Sequence, residues 1–228
     1  MDLYTLTMLA LFAVLGLTAW AQYKVTSNYK QWSKIGVSSG MTGAETARLL
    51  LDKSGLENIA VEPVAGTLSD HYDPVKKVIR LSEGVYGGRS ISAVSIAAHE
   101  TGHAIQHKEK YSMLVLRHNM APLLKITSGL APILIIAGIA FNAFNLIGLG
   151  VVFFATIVLF QLITLPVEFD ASNRAKRLVT AEGIITARES AGVKKVLDAA
   201  ALTYVAATLY AAIELIRYIL IAAGMRKR

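Results

Sequence analysis

The chain has 228 residues, no cysteine, 54% hydrophobic and 17% charged residues, a mean hydropathy of +0.49 and a formal net charge of +7. An ordinary soluble domain carries about 25% charged and about 45–50% apolar residues, so a bilayer is the expected sink for the excess, and intrinsic disorder is excluded. The lack of thiols excludes a disulfide framework and any thiolate metal site, and the scattered basic residues fit membrane flanks rather than a nucleic-acid surface.

Leu3 to Ala21 is the first expected span. It ends in the signal-like Ala19-Trp20-Ala21 but has no basic leading region, and Asp2 stands where Lys or Arg would. A retained span is therefore expected, with Trp20 and Tyr23 at the interface. Thr42-Gly43-Ala44-Glu45 reads as a capping box before an amphipathic helix from Ala47 to Leu56, and Gly55 as its stop. Ile59 to Val64 and Lys77 to Leu81 read as short strands, with Asp70-His71-Tyr72-Asp73-Pro74 as a polar turn between them. Ser90 opens a helix that runs to Lys108.

From Ile126 to Val167 there is no Asp, Glu, Lys or Arg. This is long enough for two spans of about 20 residues each, and Phe141-Asn142-Ala143-Phe144-Asn145 supplies the turn of a helical hairpin. Ala199 to Met225 is the last apolar segment; its Glu214 and Arg217 lie three apart on one face and are placed to pair. Lys24, Lys30, Lys34, Arg117, Lys125, Arg174, Lys176 and Arg177 then fall on one side of the membrane, the cytoplasmic side by the positive-inside rule. The tail Arg226-Lys227-Arg228 is discordant if the last helix crosses fully.

The chemical signal is Ala97-Ala98-His99-Glu100-Thr101-Gly102-His103-Ala104-Ile105-Gln106-His107. It holds H-E-x-x-H inside a segment otherwise written as helix. His99 and His103, four apart, project from one face and are spaced to share a zinc ion. Glu100 follows the first ligand, where it can take a proton from the water that zinc activates. A catalytic zinc keeps three protein ligands and one open position. A scheme with a third His six residues after the second fails, because Glu109 stands there and Gln106 replaces its glycine. His107 lies about 12 Å along the helix from His99 and reads as a surface or supporting histidine. The other scheme takes an acid from a later helix. Glu168 is the leading choice and Asp170 the alternative; they are the first acids after the uncharged stretch.

These residues closely resemble the YugP-like membrane zinc metallopeptidases. The likeness extends to Thr67–Pro74, to Thr164–Ser172 (T-L-P-V-E-F-D-A-S) and to Val196–Ala207 (V-L-D-A-A-A-L-T-Y-V-A-A), in order along the chain. More distantly, the sequence is similar to the HtpX and CAAX prenyl protease group, in which a Glu of an E-F-x-A-D helix binds zinc. The resemblance implies that Glu168 is the third ligand. It departs at Ser172, where that group has an Asp that buttresses a ligand, and this leaves Ser172, Asp170 or Asp198 to take the buttressing role. Tyr204, in the family-like block, and His71, in the polar turn, are the candidate donors to the oxyanion. The edge of Lys77–Leu81 is the candidate platform for an extended peptide.

The expected fold class is a mainly α membrane protein: helical spans plus a small α+β zincin-like catalytic domain with an H-E-x-x-H helix and a short β-sheet. The expected divisions are an N-terminal span (1–24), a first catalytic segment (25–125, with the zinc helix at 90–108), a transmembrane hairpin (126–167), a second catalytic segment (168–198) and a C-terminal apolar helix (199–228). The expected function is that of an integral membrane zinc endopeptidase of the gluzincin type. It would sit in the bacterial plasma membrane with one catalytic Zn2+ on the cytoplasmic side and take membrane or membrane-proximal polypeptides as substrates. No nucleic acid is expected, and the oligomeric state is not legible. The rival is a non-catalytic membrane scaffold or chaperone holding a structural zinc, for which Glu100 would have no use.

Overall fold

The computed structural model describes residues 3–226, without the side chain of Arg226. Asp2 and, from the basic tail, Lys227 and Arg228 lie outside the described residues. The order of elements is α1 (Leu3–Trp32), α2 (Gly43–Lys53), β1 (Ala60–Val64), β2 (His71–Asp73), β3 (Val78–Ser82), α3 (Glu83–Tyr86), α4 (Ile91–Lys108), α5 (Ser112–Ala140), α6 (Phe144–Ala181) and α7 (Ser190–Arg226). The chain is mainly helical with one three-stranded sheet. Four helices, α1, α5, α6 and α7, are long and apolar enough to cross a membrane.

Contacts divide the chain into two compact units. The first comprises Met1–Trp20, Val115–Pro166 and Thr203–Arg228. Its hairpin turns between Ala140 and Phe144, with Asn142 at a positive φ of 52° and the Ala143 amide donating to the Gly138 carbonyl at 2.8 Å. The two arms pack tightly: a Cβ on Gly150 would stand 2.6 Å from Ile135 Cγ1, and Ile135 and Ile147 are buried. Small residues let backbones approach where lipid is no less apolar than the side chains. Thr127 and Thr156 share a hydroxyl bond of 2.6 Å across this contact. The outward faces remain apolar and open, with Phe12 and Ile136 each 67% exposed, as a lipid-facing surface requires. On α7, Glu214 is buried and accepts from Arg217 Nη2 at 2.6 Å, which is the pairing the spacing predicts.

The second unit comprises Ala21–Leu114 and Val167–Leu202. The capping box forms as predicted: Thr42 Oγ1 accepts from the Glu45 amide, and Glu45 accepts from the Thr42 amide. The helix closes at Ser54 with Gly55 at φ +64°, a left-handed position that suits glycine. The sheet order is β1-β3-β2, with β1 parallel and β2 antiparallel to β3. Two sequence expectations need correction. Residues 71–73 of the supposed polar turn form strand β2. The turn comes later, where Asp73 Oδ1 accepts from the amides of Val75 and Lys76. And β3 has no free edge, because both its sides are paired; the open edges belong to β1 and β2. Asp70 locks this arrangement by accepting from the Ser82 amide at 2.7 Å, while burial pushes its carboxyl pKa up against that bond.

Helix α4 is the axis of this unit. Ser90 caps it by accepting from the Ala93 amide. One side, with Ile91, Val94 and Ala98, packs with Ala175, Val179 and Leu197 of α6 and α7. The other, with Ala93, Ala97 and Ala104, packs with Leu51, Ile79 and Leu81. A helix buried on two sides must be rich in small residues, as Ala97-Ala98 and Gly102 are. α6 runs unbroken through Pro166, and the division between the two units falls within it, between Pro166 and Val167. α7 begins at Ser190, ahead of its apolar stretch.

Candidate metal centre

Helical spacing places the rings of His99 and His103 beside each other, 4.8 Å between centroids and nearly perpendicular. Both Nε2 atoms face one carboxylate oxygen: Glu168 Oε2 is 3.4 Å from His99 and 3.5 Å from His103. The three donor atoms lie within 4.8 Å of one another. Glu168 is 3% exposed at its side chain and the histidines 13% and 14%, so the cluster is screened from bulk water.

The donor set fits zinc. Two ligands about 2.0–2.1 Å from a tetrahedral zinc stand roughly 3.3 Å apart, near the distances from Glu168 to each imidazole. Two nitrogens and one oxygen also leave one position open. Burial opposes a charge on His103, but Glu168, and Glu100 beside it, raise its pKa above the ordinary histidine value. Glu100 is itself buried one residue beyond His99.

The supporting side chains come from both helices. His103 Nδ1 and Gln106 Oε1 are 3.0 Å apart, and Gln106 Nε2 donates to the Val167 carbonyl at 2.8 Å and to Asp170 Oδ2 at 2.9 Å. Gln106 can accept only through Oε1, so His103 donates from Nδ1, which leaves Nε2, on the Glu168 side, as the nitrogen that would bind a metal. Ser172 Oγ lies 3.2 Å from His99 Nδ1 and does the equivalent for the first histidine. Arg174 in turn holds Asp170, Nε to Oδ2 at 2.5 Å. Of the three residues proposed to replace the missing Asp, Ser172 reaches a histidine directly and Asp170 reaches one through Gln106. Asp198 instead pairs with Lys176 and Lys194.

Two positions escaped the sequence reading. Gln106 read as a departure from a three-histidine scheme; here it is fully buried and links α4 to α6. Gly102 went unremarked. A Cβ there would stand 2.8 Å from the Ala171 carbonyl oxygen, so only glycine lets the helices close enough for Glu168 to meet both imidazoles. The signal was the glycine inside an otherwise good helix former run.

The other predicted residues fall on other elements. His71 is exposed on β2, with Nδ1 2.8 Å from the Ser69 carbonyl. His107 is bonded to Tyr72. Tyr204 is half-buried on α7, in the first unit.

Residues 7–223 match the profile of a family described as "Putative neutral zinc metallopeptidase". The chain is also 58% identical, over 209 residues, to a protein named "Putative membrane protease YugP" from Bacillus subtilis (strain 168), covering 92% of this chain and 93% of that one. No solved structure matches it. The match runs through every helix that carries the two histidines, their glutamate partner and the apolar spans, and the chain therefore belongs to this neutral zinc metallopeptidase family.

Proposed function

We propose that the protein is an integral membrane zinc endopeptidase of the gluzincin type, acting on membrane or membrane-proximal polypeptides. The observation that carries this reading is the meeting of His99 Nε2, His103 Nε2 and Glu168 Oε2 around one point, with Glu100 buried alongside. His99, His103 and Glu168 would hold the ion. Zinc, when bound, supplies a Lewis acid that polarises the scissile carbonyl and lowers the pKa of water to about 7.

The residues of the chain do the rest. Glu100 takes the proton of the attacking water on a carboxylate oxygen and returns it to the leaving amine nitrogen. Ser172 and Gln106 keep the imidazoles oriented. His71 and Tyr204 are the proposed donors to the oxyanion. With β3 enclosed, the edges that remain for an extended peptide are those of β1 and β2. Residues 25–125 and 168–198 would form the catalytic domain, on the cytoplasmic face of a bacterial plasma membrane.

Metal analysis and peptide hydrolysis of three proteins test this: wild type, Glu100→Gln and Glu168→Ala. Glu100→Gln is expected to keep zinc and lose about 10²–10⁴-fold in rate. Glu168→Ala is expected to lose zinc. If Glu100→Gln cleaves normally, the general-base role of Glu100 is wrong; if the zinc-loaded wild type cleaves no peptide, a scaffold with a structural zinc becomes the better account.

A further inference from the structure

A cavity of about 240 Å³ lies in the same unit as the metal centre, lined in part by Ala104, His107 and Lys108 of the helix that carries His99 and His103. Its floor is apolar and rigid: Ile59 and Ala104 are buried, and Ala104 directly follows His103 on α4. One wall is Tyr72 and His107, whose Oη and Nδ1 share a hydrogen bond of 2.8 Å. This bond ties strand β2 to the helix one turn, about 5–6 Å, beyond His103. A peptide held at the metal centre and running along α4 toward its C-terminus would bring a side chain to this cavity.

The rim is basic. Asn58, Lys77 and Lys108 line it, and no Asp or Glu does. Lys108 directs its charge to the carbonyls of Ser54 and Gly55, at the C-terminus of α2. Lys77 takes part in no ion pair among the described residues, so its ammonium is available to a ligand.

The backbone of Lys77 makes a second, independent point. It sits at φ +52°, in the left-handed region, where a Cβ is crowded and Gly or Asn is the usual occupant. The Asp73 carboxylate accepts from the amides of Val75 and Lys76 in the same turn. Lys77 closes the turn between β2 and β3 in this conformation, and a residue held in the left-handed region can mark a position whose side chain serves a site.

We propose that this cavity is a specificity subsite of the peptidase for an acidic side chain of the substrate, and that Lys77 reads its charge. The inference rests on the peptidase reading of the metal centre. The aliphatic part of a Glu or Asp side chain would lie over Ala104 and Ile59, and its carboxylate would meet Lys77, Asn58 and the Tyr72–His107 pair.

The test uses the full-length protein in detergent and peptide pairs in which one Glu or Gln is stepped through the positions flanking the cleaved bond. At one position the Glu peptide is expected to give about a 10-fold higher kcat/KM, a preference that shrinks with salt. Lys77→Asn, which suits the left-handed backbone, is expected to bring the ratio close to one without lowering Tm. Lys77→Arg is expected to keep it. Zinc-dependent cleavage with no Glu preference at any position, or a preference that survives in Lys77→Asn, overturns the subsite and leaves the peptidase reading standing. If no peptide is cleaved at all, the peptidase reading fails. The affinity of the same peptides for Glu100→Gln, which needs no turnover, then decides the subsite: equal binding of Glu and Gln peptides overturns it.

Discussion

Around His103 the decisive residue is a neutral amide. Gln106 is fully buried and satisfies three partners on two helices, so it holds a ring, a carboxylate and a backbone carbonyl in one geometry. Gln106→Leu keeps the volume but leaves Asp170 and the His103 Nδ1–H without this partner. A loss of about 10–100-fold in zinc affinity is expected, the usual effect of removing a group that orients a metal ligand. Ser172→Ala removes a longer contact, 3.2 Å to His99, and a smaller loss is expected. Competition with a chromophoric chelator measures both; equal affinity of Gln106→Leu and wild type would show that the amide orients nothing.

At the level of elements, the centre depends on how closely α4 and α6 approach. Gly102→Ala places a methyl 2.8 Å from the Ala171 carbonyl oxygen, a backbone atom that cannot swing aside. Overpacking of this kind costs about 1–3 kcal/mol. The variant is expected to keep its helical circular dichroism, lose Tm and bind zinc substoichiometrically, because Glu168 sits one turn from Ala171. Full zinc occupancy would count against the role given to this glycine. A second joint is Glu189, which accepts from the Ser38 amide at 2.6 Å and from the Thr186 amide at 2.6 Å, pinning the loop after α1 to the start of α7. Burial raises its pKa, but these bonds outweigh burial and hold it below the ordinary glutamate value. A depressed carboxylate stabilises above its unfolded pKa, and that contribution is lost as pH falls through the folded value. The Tm difference between wild type and Glu189→Gln is therefore expected to be present at pH 7 and to vanish under acid titration below about pH 4. A difference independent of pH would mean that the carboxylate charge is not what holds the loop.

For the whole molecule, the distribution of charge sets the orientation. The basic residues expected on one side lie in or just past the C-terminal third of α1, in the first half of α5 and near the C-terminal end of α6, while the hairpin turn carries none. The chain has no native cysteine, so single-cysteine variants report topology without background. Phe141→Cys, at a turn position 78% exposed, is expected to react with a membrane-impermeant maleimide on intact cells. Ala187→Cys, between α6 and α7, is expected to react only after permeabilisation. The reverse pattern would invert the proposed orientation. α7 is long and apolar enough to cross, and a full crossing would carry a cysteine at position 228 to the same side as Phe141.

Much of this was written locally in the sequence. The capping box at Thr42, the helix from Ser90, the uncharged hairpin with its turn at Asn142 and the Glu214–Arg217 pair follow from spacing and composition, which act over a few residues. H-E-x-x-H likewise belongs to one helix, so its two histidines and Glu100 could be named without a fold. Glu168 was legible only as one of two candidates with Asp170, as the first acids after the uncharged hairpin, and the resemblance favoured it; no periodicity spans the gap to His103. What only the tertiary structure decided are the contacts between segments distant in sequence. Gln106 became a clamp because Val167 and Asp170 meet it. Gly102 became necessary because Ala171 lies against it. β3 lost its edge because β2 pairs there, and Lys77 lines a cavity because the β2–β3 turn sets it beside α4. Local signals record which conformation each segment prefers; they carry no record of which partner arrives, since that depends on packing the whole chain at once.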